Sequence, residues 1–311
     1  MFTQELSQEL LVKVKRIEKF IGNTPLFPIK KLLQKPKVEI YAKLEWHQLG
    51  SSVKARPAFN IIKEAILAGE LHEDKILIDA SSGNTGIAYG AVGAALGIPV
   101  TLCLPENASK ERKMNLKALG VNIIYTSPLE LTDGAQRQAK ALYEALPYKY
   151  FYADQYANEN NWRAHYLTTA NEIYQQTQGL ITHFITGLGT TGTFMGTSRR
   201  LKELNPAIEV IEVHPNSPMH GLEGWKHMET ALVPKIYHPE LADQSRKTDT
   251  FKAYHLIKQA AQKEGLLLSP SSAANLSAAL ELAESIDEGV IVTVFPDSAD
   301  KYGEVIQKLF N

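Results

Sequence analysis

Short apolar runs alternate with longer amphipathic stretches along most of the chain. The apolar runs are rich in β-branched and aromatic residues, and the stretches between them carry apolar residues at helical spacing. We predict strands at 38–45, 75–80, 99–105, 121–126, 150–154, 182–187, 208–213 and 289–296. We predict helices at 55–70, 85–97, 109–120, 133–146, about 160–177, from Thr191 onwards, 249–264 and 273–285. Such alternation is typical of βαβ units with parallel sheets.

The same alternation predicts two domains of the α/β class. One βα series gives way to a second near residue 150, and no linker rich in proline, glycine or serine separates them. A chain of 311 residues is long enough for about two domains of about 150 residues. We therefore expect two three-layer domains with mostly parallel sheets, a smaller one comprising 46–150 and a larger one comprising 1–45 plus 151–311. The stretch 214–247 shows little periodicity, and we expect it to be irregular.

The charge balance and the lack of long apolar segments exclude several classes of function. The chain has 33 basic and 34 acidic side chains, a net charge of −1, so it has no basic footprint for nucleic acid. Its longest near-apolar run, "GAVGAALGIPV", is far shorter than the span of about 18 residues that crosses a membrane. The first residues, "MFTQELSQEL", lack the apolar core of a secretory signal. We expect neither a nucleic-acid nor a membrane partner.

Cysteine and histidine usage indicates a cytoplasmic protein without a metal site. The single cysteine rules out an internal disulfide, which fits a reducing compartment. Cys103 lies in the apolar run "PVTLCLP", where we predict a buried structural thiol and not a nucleophile. The nine histidines are scattered, and none forms a metal-binding pair such as H-E-x-x-H.

A glycine-rich loop, "GLGTTGT" at 187–193, follows a predicted strand and precedes a predicted helix. Its glycines match the G-x-G-x-x-G pattern of dinucleotide-binding proteins, and Glu212 lies at the expected distance beyond it. The loop also contributes the hydroxyl groups of Thr190, Thr191 and Thr193. Hydroxyls combined with backbone N–H groups suit a terminal phosphate monoester. The loop alone leaves NAD and another phosphate ligand open.

Three further segments place reactive or polar groups beside predicted strands and helices. Lys54 lies at the start of the helix 55–70, where the helix dipole disfavours an ammonium; a neutral amine is what an imine with a carbonyl cofactor requires. The segment "SSGNTG" at 81–86 could bind a carboxylate, or form a plain turn with an N-cap. Ser271 and Ser272 precede the helix 273–285, where ordinary N-capping is an equal interpretation.

Taken together, these motifs resemble the cysteine synthase group of pyridoxal-phosphate enzymes, which includes O-acetylserine and O-phosphoserine sulfhydrylases and cystathionine β-synthase. The matching segments, in the family's order, are "GNTPL" (22–26), "KLE" (43–45), "SVK" (52–54), "SGNTG" (82–86), "GLGTTGT" (187–193) and "FPDSADKY" (295–302). The resemblance implies the fold type II, tryptophan synthase β-like architecture. It also implies that the glycine-rich loop binds the 5′-phosphate of pyridoxal phosphate and not NAD.

The resemblance assigns roles to individual residues. Lys54 matches the lysine that binds the cofactor covalently and moves protons at the substrate α-carbon. Asn84 matches the asparagine on the cofactor's phenolic oxygen, and Ser271 the serine facing its pyridine nitrogen. The residues that match the phosphate loop are Gly189, Thr190, Thr191, Gly192 and Thr193. The residues that match the substrate-carboxylate site are Ser81, Ser82, Gly83, Asn84, Thr85 and Gln155.

The reaction that the resemblance implies is β-replacement on an activated serine, in which sulfide displaces acetate from O-acetyl-L-serine to give L-cysteine. Alternatives are O-phosphoserine as donor, homocysteine or another thiol as nucleophile, β-elimination, or a catalytically weak cofactor-binding regulatory protein. Lys226 falls where O-phosphoserine users of the family carry an arginine, and it is a candidate substrate-binding residue. Because lysine lacks the planar fork that grips phosphate, we favour O-acetylserine. The resemblance also implies a homodimer.

Some positions depart from the family pattern. Ala55 follows the lysine where the family usually has Asp, and Gln48-Leu49 replaces Asn-Pro. Pro270 lies in "SPSSA", where the family has "GISSG", and "TTANE" at 168–172 replaces "TTGPE". The cofactor contacts are retained, so these changes affect the expected substrate and activity more than the expected cofactor.

Overall fold

The computed structural model describes residues 8–310. Its helices are α1 (Gln8–Glu18), α2 (Ala55–Leu67), α3 (Asn84–Leu96), α4 (Lys110–Ala118), α5 (Leu131–Ala145), α6 (Glu159–Ala164), α7 (Ala170–Gln176), α8 (Gly192–Leu204), α9 (Thr250–Glu264), α10 (Pro270–Ser285) and α11 (Gly303–Phe310). Its strands are β1 (Leu26–Ile29), β2 (Val38–Leu44), β3 (Ile76–Ala80), β4 (Val100–Pro105), β5 (Asn122–Thr126), β6 (Tyr150–Tyr152), β7 (His183–Gly187), β8 (Glu209–Pro215), β9 (Gln244–Thr248) and β10 (Gly289–Phe295). A π-helical segment, His165–Thr169, joins α6 to α7.

Every predicted strand and helix is present, with ends moved by a few residues. The prediction of an irregular 214–247 was wrong at its end, because β9 starts there and pairs in parallel with β8. β9 reads "QSRKT", and its mostly exposed polar side chains carry no apolar alternation. β1 also escaped prediction, since it is short and contains Pro28. Proline is tolerated there because β1 is an edge strand.

The chain divides into two compact units. Unit 1 contains the segment ending at Gly22, together with Gln48–Gly50 and Lys54–Asn161; unit 2 contains Asn23–His47, Ser51–Val53 and the chain from Trp162 onwards.

This division differs from the predicted domain bounds, 46–150 and 1–45 plus 151–311, at both ends of the smaller domain. Leu10 and Val14 of α1 are buried in the same hydrophobic cluster as Ile61 of α2, which places the N-terminal helix in unit 1. β6 pairs with β3, which keeps the residues that follow it in unit 1 as well.

Unit 1 is a three-layer α/β structure. Its sheet has the order β5-β4-β3-β6, and every pairing in it is parallel. Successive residues of β3 enter different cores, Leu77 packing with α2 and α3 and Ile78 with α5. The sheet is therefore covered on both faces, which explains why its strands are continuous apolar runs.

Cys103 of β4 lies in the core on the α5 side of this sheet and is fully buried. Burial raises the pKa of its thiol to about 11, which keeps it protonated near neutral pH. The prediction of a structural thiol is confirmed.

Unit 2 has the same layered construction around a larger sheet. The strand order is β1-β2-β10-β7-β8-β9, in which β1 is antiparallel and the other pairings are parallel. Ile185 of β7 packs with α9 and α10, whereas Phe184 enters the core with α7 and α8. Parallel strands end at one edge of a sheet, so the loops after β7, β8 and β10 share that edge. Within residues 8–310 no helix is long and apolar enough to cross a membrane.

Candidate active site

In unit 1, Lys54 is the N-cap residue of α2, as the sequence predicted. Its carbonyl oxygen accepts a hydrogen bond from the Ala58 N–H at 3.0 Å, and its side chain is partly exposed. The first turn of α2 contains no acidic residue to attract the ammonium. Ala55, where the family usually has Asp, is fully buried. A methyl group avoids the cost of burying a carboxylate at that position.

The segment 81–86 forms a turn that leads from β3 into α3. Ser81 Oγ accepts hydrogen bonds from the backbone N–H groups of Gly83, at 3.3 Å, and Gly86, at 3.1 Å. A Cβ atom on Gly86 would lie 2.8 Å from Leu102 Cδ1 and 2.9 Å from the Ser81 carbonyl oxygen, so only glycine fits. Asn84 and Thr85 lie in the first turn of α3, where backbone N–H groups point towards an anion.

Gln155, which the resemblance assigns to the substrate carboxylate, lies next to this segment in the loop after β6. It is buried, and its Oε1 accepts a hydrogen bond from Thr85 Oγ1 at 2.7 Å. Its Nε2 donates to the carbonyl oxygen of Ala80 at 3.0 Å. Asn161 Nδ2 donates to the Gln155 carbonyl oxygen at 2.6 Å and fixes the backbone. The Gln155 side-chain amide is thus hydrogen-bonded both to Ala80, the residue before the segment 81–85, and to Thr85, the last residue of the segment.

Asp79, the penultimate residue of β3, is a polar group that sequence reasoning did not single out. Its carboxylate is 1% exposed and accepts hydrogen bonds from the Ala80 N–H at 2.7 Å and the Gln155 N–H at 3.3 Å. Burial raises the pKa of Asp79 to about 7, although the two N–H donors oppose the shift. The only signal in the sequence is one acidic residue inside the apolar run "KILIDA".

In unit 2, the glycine-rich loop joins β7 to α8 and has the features of an anion cradle. Thr191 is the N-cap of α8 and adopts a left-handed backbone with φ of 71°. Its Oγ1 is buried and, within the part of the chain that the structure describes, has no hydrogen-bond partner. Gly192 is the first residue of α8, so the Thr191 hydroxyl lies at the N-terminus of that helix. An unsatisfied buried hydroxyl at a helix start fits a phosphate group well.

The other glycines of the loop allow close approach of neighbouring groups. A Cβ atom on Gly189 would lie 2.1 Å from the Gly224 carbonyl oxygen, and one on Gly187 would lie 1.9 Å from the Trp225 ring. Thr190 Oγ1 accepts a hydrogen bond from the Gly192 N–H at 3.4 Å. The loop is therefore held close to the chain around 224–225, in which Lys226 donates its backbone N–H to Leu188 at 2.8 Å.

His165 is a second residue that sequence reasoning missed. It opens the π-helical segment between α6 and α7 and is 1% exposed. Its Nδ1 is hydrogen-bonded to Thr169 Oγ1 at 2.9 Å, and its Nε2 lies 3.3 Å from Oγ1 of Thr193 in the phosphate loop. π-Helical turns often occur at functional sites. No periodicity in the sequence marks this one.

Ser271 lies in the first turn of α10 and does not precede it, because the helix begins at Pro270, earlier than predicted. The N-cap is Ser269, whose Oγ accepts a hydrogen bond from the Ser272 N–H at 3.2 Å and lies 3.1 Å from Ser271 Oγ. Proline favours the first helical position, so the departure from the family's "GISSG" preserves the helix start. Ser271 is buried, as a group facing a cofactor would be.

Lys226 lies close to the loop, and its side chain is partly exposed. Its Nζ donates to the Leu232 carbonyl oxygen at 3.3 Å. Among residues 8–310, no group of three or more His, Cys, Asp or Glu side chains could hold a metal ion.

Comparison with known proteins matches both units. The family model for the pyridoxal-phosphate dependent enzyme matches residues 17–297. A cysteine synthase of Aquifex aeolicus is 48% identical over 293 residues, covering 92% of this chain and 90% of the relative. An O-acetylserine dependent cystathionine beta-synthase of Bacillus subtilis is 36% identical, covering 92% and 95%.

A solved structure gives the same result. The cysteine synthase of Entamoeba histolytica superposes with a TM-score of 0.88 at 30% identity, covering 100% of this chain and 92% of that one. These likenesses confirm the predicted fold class and cofactor. The chain, with its cradle after β7 and its lysine at the start of α2, belongs to the family of pyridoxal-phosphate dependent enzymes.

Proposed function

We propose that this enzyme makes L-cysteine by β-replacement. Acetate leaves Cβ of O-acetyl-L-serine as the C–O bond breaks, and sulfide forms the new C–S bond at the same carbon. The observation that carries the proposal is 48% identity, across 92% of this chain, to a protein named cysteine synthase. The Entamoeba histolytica structure, at a TM-score of 0.88, supports the same reaction class.

The residues of the chain have separate tasks towards the cofactor. When bound, pyridoxal phosphate supplies a carbonyl carbon and an electron-withdrawing ring that acidifies the substrate α-C–H bond. We propose that the amine of Lys54 would bind that carbonyl carbon covalently. The same amine would transfer the proton at the substrate α-carbon. The loop 189–193 binds the phosphate, for which the unpaired Thr191 hydroxyl is the supporting observation. Asn84 and the neutral hydroxyl of Ser271 orient the ring, and a neutral partner keeps the ring a moderate electron sink.

The segment 81–85 binds the substrate carboxylate in this proposal. Its supporting features are the backbone N–H groups at the start of α3 and the hydroxyls of Ser81 and Ser82, whereas the Thr85 hydroxyl donates to Gln155. Because both ends of the Gln155 amide are already hydrogen-bonded, we assign Gln155 to hold this segment in shape. Binding the carboxylate there orients the α-C–H and Cβ bonds and helps to exclude water.

A second nucleophile, homocysteine, has a specific observation in its favour. The Bacillus subtilis relative, 36% identical over 92% of this chain, is named an O-acetylserine dependent cystathionine beta-synthase. That name gives the same donor, O-acetylserine, but a different product, cystathionine. Lys226 lacks the planar fork with which an arginine would grip a phosphate, and this favours O-acetylserine over O-phosphoserine as the donor.

The test supplies purified, cofactor-loaded protein with O-acetylserine and either sulfide or homocysteine, and measures cysteine and cystathionine. We expect cysteine formation that Lys54→Ala abolishes. Lys63→Ala, the same change further along α2, serves as the matched control and should leave the rate unchanged, since Lys63 is bonded to the surface residue Glu18. A higher kcat/KM with homocysteine, or turnover that survives Lys54→Ala, would contradict the proposal.

We propose further that the chain acts as a cytoplasmic homodimer. The reducing compartment is supported by a single, buried cysteine, and the dimer by the family resemblance alone. Light scattering of the purified protein measures the mass directly, and a monomer mass at micromolar concentration would contradict the dimer.

A further inference from the structure

The buried carboxylate of Asp79 lies at the end of β3, close to the start of the segment 81–85. It lies one residue before Ala80, where β3 ends, and it is 1% exposed. Its Oδ1 accepts the Ala80 N–H at 2.7 Å, and its Oδ2 accepts the Gln155 N–H at 3.3 Å. The two N–H groups belong to Ala80, the residue before the segment, and to Gln155, whose side chain is hydrogen-bonded to both ends of it.

A chain of hydrogen bonds continues from Asp79 into the segment. The backbone N–H of Gln155 donates to Asp79. The Gln155 side chain accepts a hydrogen bond from the Thr85 hydroxyl at 2.7 Å, and its Nε2 donates to the Ala80 carbonyl oxygen at 3.0 Å. The carboxylate therefore fixes the end of β3, from which the segment continues, and the loop after β6 that carries Gln155. Neither Asp79 nor its two donors needs to touch substrate to influence how the segment is shaped.

Several titratable groups face Asp79 from the elements packed around it. They are Tyr89 of α3, Cys103 of β4, Tyr152 of β6, and Asp154 and Tyr156 after β6, with Asp133 of α5 acting on Tyr156. Burial raises the pKa of each of these tyrosines and of the thiol, so they stay neutral when Asp79 changes charge. The nearby Tyr89 hydroxyl lowers the pKa of Asp79, and the Asp154 carboxylate raises it.

We infer that Asp79 is a positioning residue for the substrate: as a carboxylate it holds Ala80 and Gln155 and orders the segment 81–85, and when protonated it loosens that segment. Charge-assisted hydrogen bonds to a carboxylate are stronger than those to a neutral carboxyl group. The inference rests on the proposed function in treating 81–85 as the substrate-carboxylate site. It predicts weaker substrate binding on acidification.

The first measurement uses the cofactor-free chain and requires no turnover. Amide hydrogen exchange is followed at about pH 6 and about pH 8, on either side of the pKa, and expressed as protection factors corrected for intrinsic rates. We expect protection of the amides at 80–86 and 155 to fall about tenfold at the lower pH, because local opening of this segment leaves Asp79 buried and breaks only its charge-assisted hydrogen bonds to the two N–H groups. Global unfolding exposes Asp79 to water and therefore has the opposite pH dependence. In Asp79→Asn, the protection of these amides should be as low at about pH 8 as it is at about pH 6. Asp74→Asn, the same change at an exposed site in unit 1, should behave as wild type.

The second measurement is the pH profile of KM and kcat for O-acetyl-L-serine with the loaded enzyme. KM should rise by up to about tenfold below the pKa of Asp79 while kcat changes little. Tyr89→Phe removes a group that lowers this pKa, so the inflection should move to higher pH. This variant keeps the test decisive if Asp79→Asn does not fold, because a purely structural role would not move an inflection.

The outcomes separate the two proposals. If protection at 80–86 is independent of pH in the wild type, or still depends on pH in Asp79→Asn, the positioning role is wrong. If protection responds as expected but KM does not, the segment is positioned by Asp79 yet does not bind the substrate carboxylate, and that part of the proposed function fails.

Discussion

The Asp79 carboxyl should make this protein less stable as the pH rises, the reverse of the usual behaviour of an acidic group. Its pKa is raised from 3.8 to about 7 by burial. Between these values the folded state retains a proton that the unfolded state has lost, so the free energy of unfolding falls as the pH increases. The stabilising contribution is complete below the unfolded pKa and is lost as the pH passes through the folded pKa.

The size of the effect follows from the two pKa values. From pH 5 to the folded pKa there are about two units, each worth about 1.4 kcal/mol, so this group alone removes about 2–3 kcal/mol between pH 5 and pH 8. That is a substantial fraction of the 5–15 kcal/mol, roughly, that stabilises a typical domain.

Asp79→Asn removes the titration and keeps the shape of the side chain. Its carbonyl oxygen can accept only one of the Ala80 and Gln155 N–H groups, and the other faces an amide NH₂, at a cost of about 1–3 kcal/mol. The variant should therefore be less stable than wild type at pH 5. At pH 8, where the wild type carries the cost of a buried charge, the difference should shrink by about 2–3 kcal/mol or reverse.

Urea unfolding of the cofactor-free chain at the two pH values measures this difference, with Asp74→Asn as the control for a lost surface charge. Cofactor-free protein is used because ligand binding would add its own pH dependence. A difference between wild type and Asp79→Asn that is the same at pH 5 and pH 8, to within about 0.5 kcal/mol, would refute the raised pKa and the linkage argument.

Further predictions concern the two helix starts of unit 2. Thr191→Val should lower affinity for pyridoxal phosphate about tenfold or more in an absorbance titration but leave stability equal or higher, because it removes an unpaired buried hydroxyl; a loss of stability with unchanged affinity would contradict the cradle. Gly189→Val should reduce both, since the new Cβ would meet the Gly224 carbonyl oxygen at 2.1 Å, and wild-type affinity would show that the loop is not the phosphate site. Ser269→Ala should cost about 1 kcal/mol in urea unfolding through loss of the cap on Ser272, and an unchanged midpoint would show that the cap contributes nothing.

Much of the fold could be predicted because the parallel strands are buried on both faces. β3, β4, β7 and β10 therefore appear in the sequence as apolar runs. The missed strands lie at a sheet edge, where pairing depends on a neighbour and not on a hydrophobic pattern. The N-terminal helix was placed in the wrong unit for a similar reason, since only the structure shows that Leu10 packs beside Ile61.

The candidate site divides in the same way into local and long-range features. Glycines and hydroxyls directly after an apolar strand, as at 187–193, are visible in the sequence, and the family resemblance gave them a ligand. The structure adds the unpaired hydroxyl of Thr191, which no sequence pattern states.

The remaining contacts depend on which strands are neighbours in the sheet. For this reason the contacts of Asp79 could not be predicted from the sequence. Asp79 and Gln155 are 76 residues apart, and Thr85 and Gln155 are 70 apart; these pairs meet because β3 pairs with β6. A parallel pairing places residues that follow two strands at the same sheet edge, so Gln155, in the loop after β6, can reach the segment after β3. The proposed substrate site is thus built by the pairing of β6 as much as by its own residues, and a change that weakens that pairing should disturb it without altering any residue of 81–85.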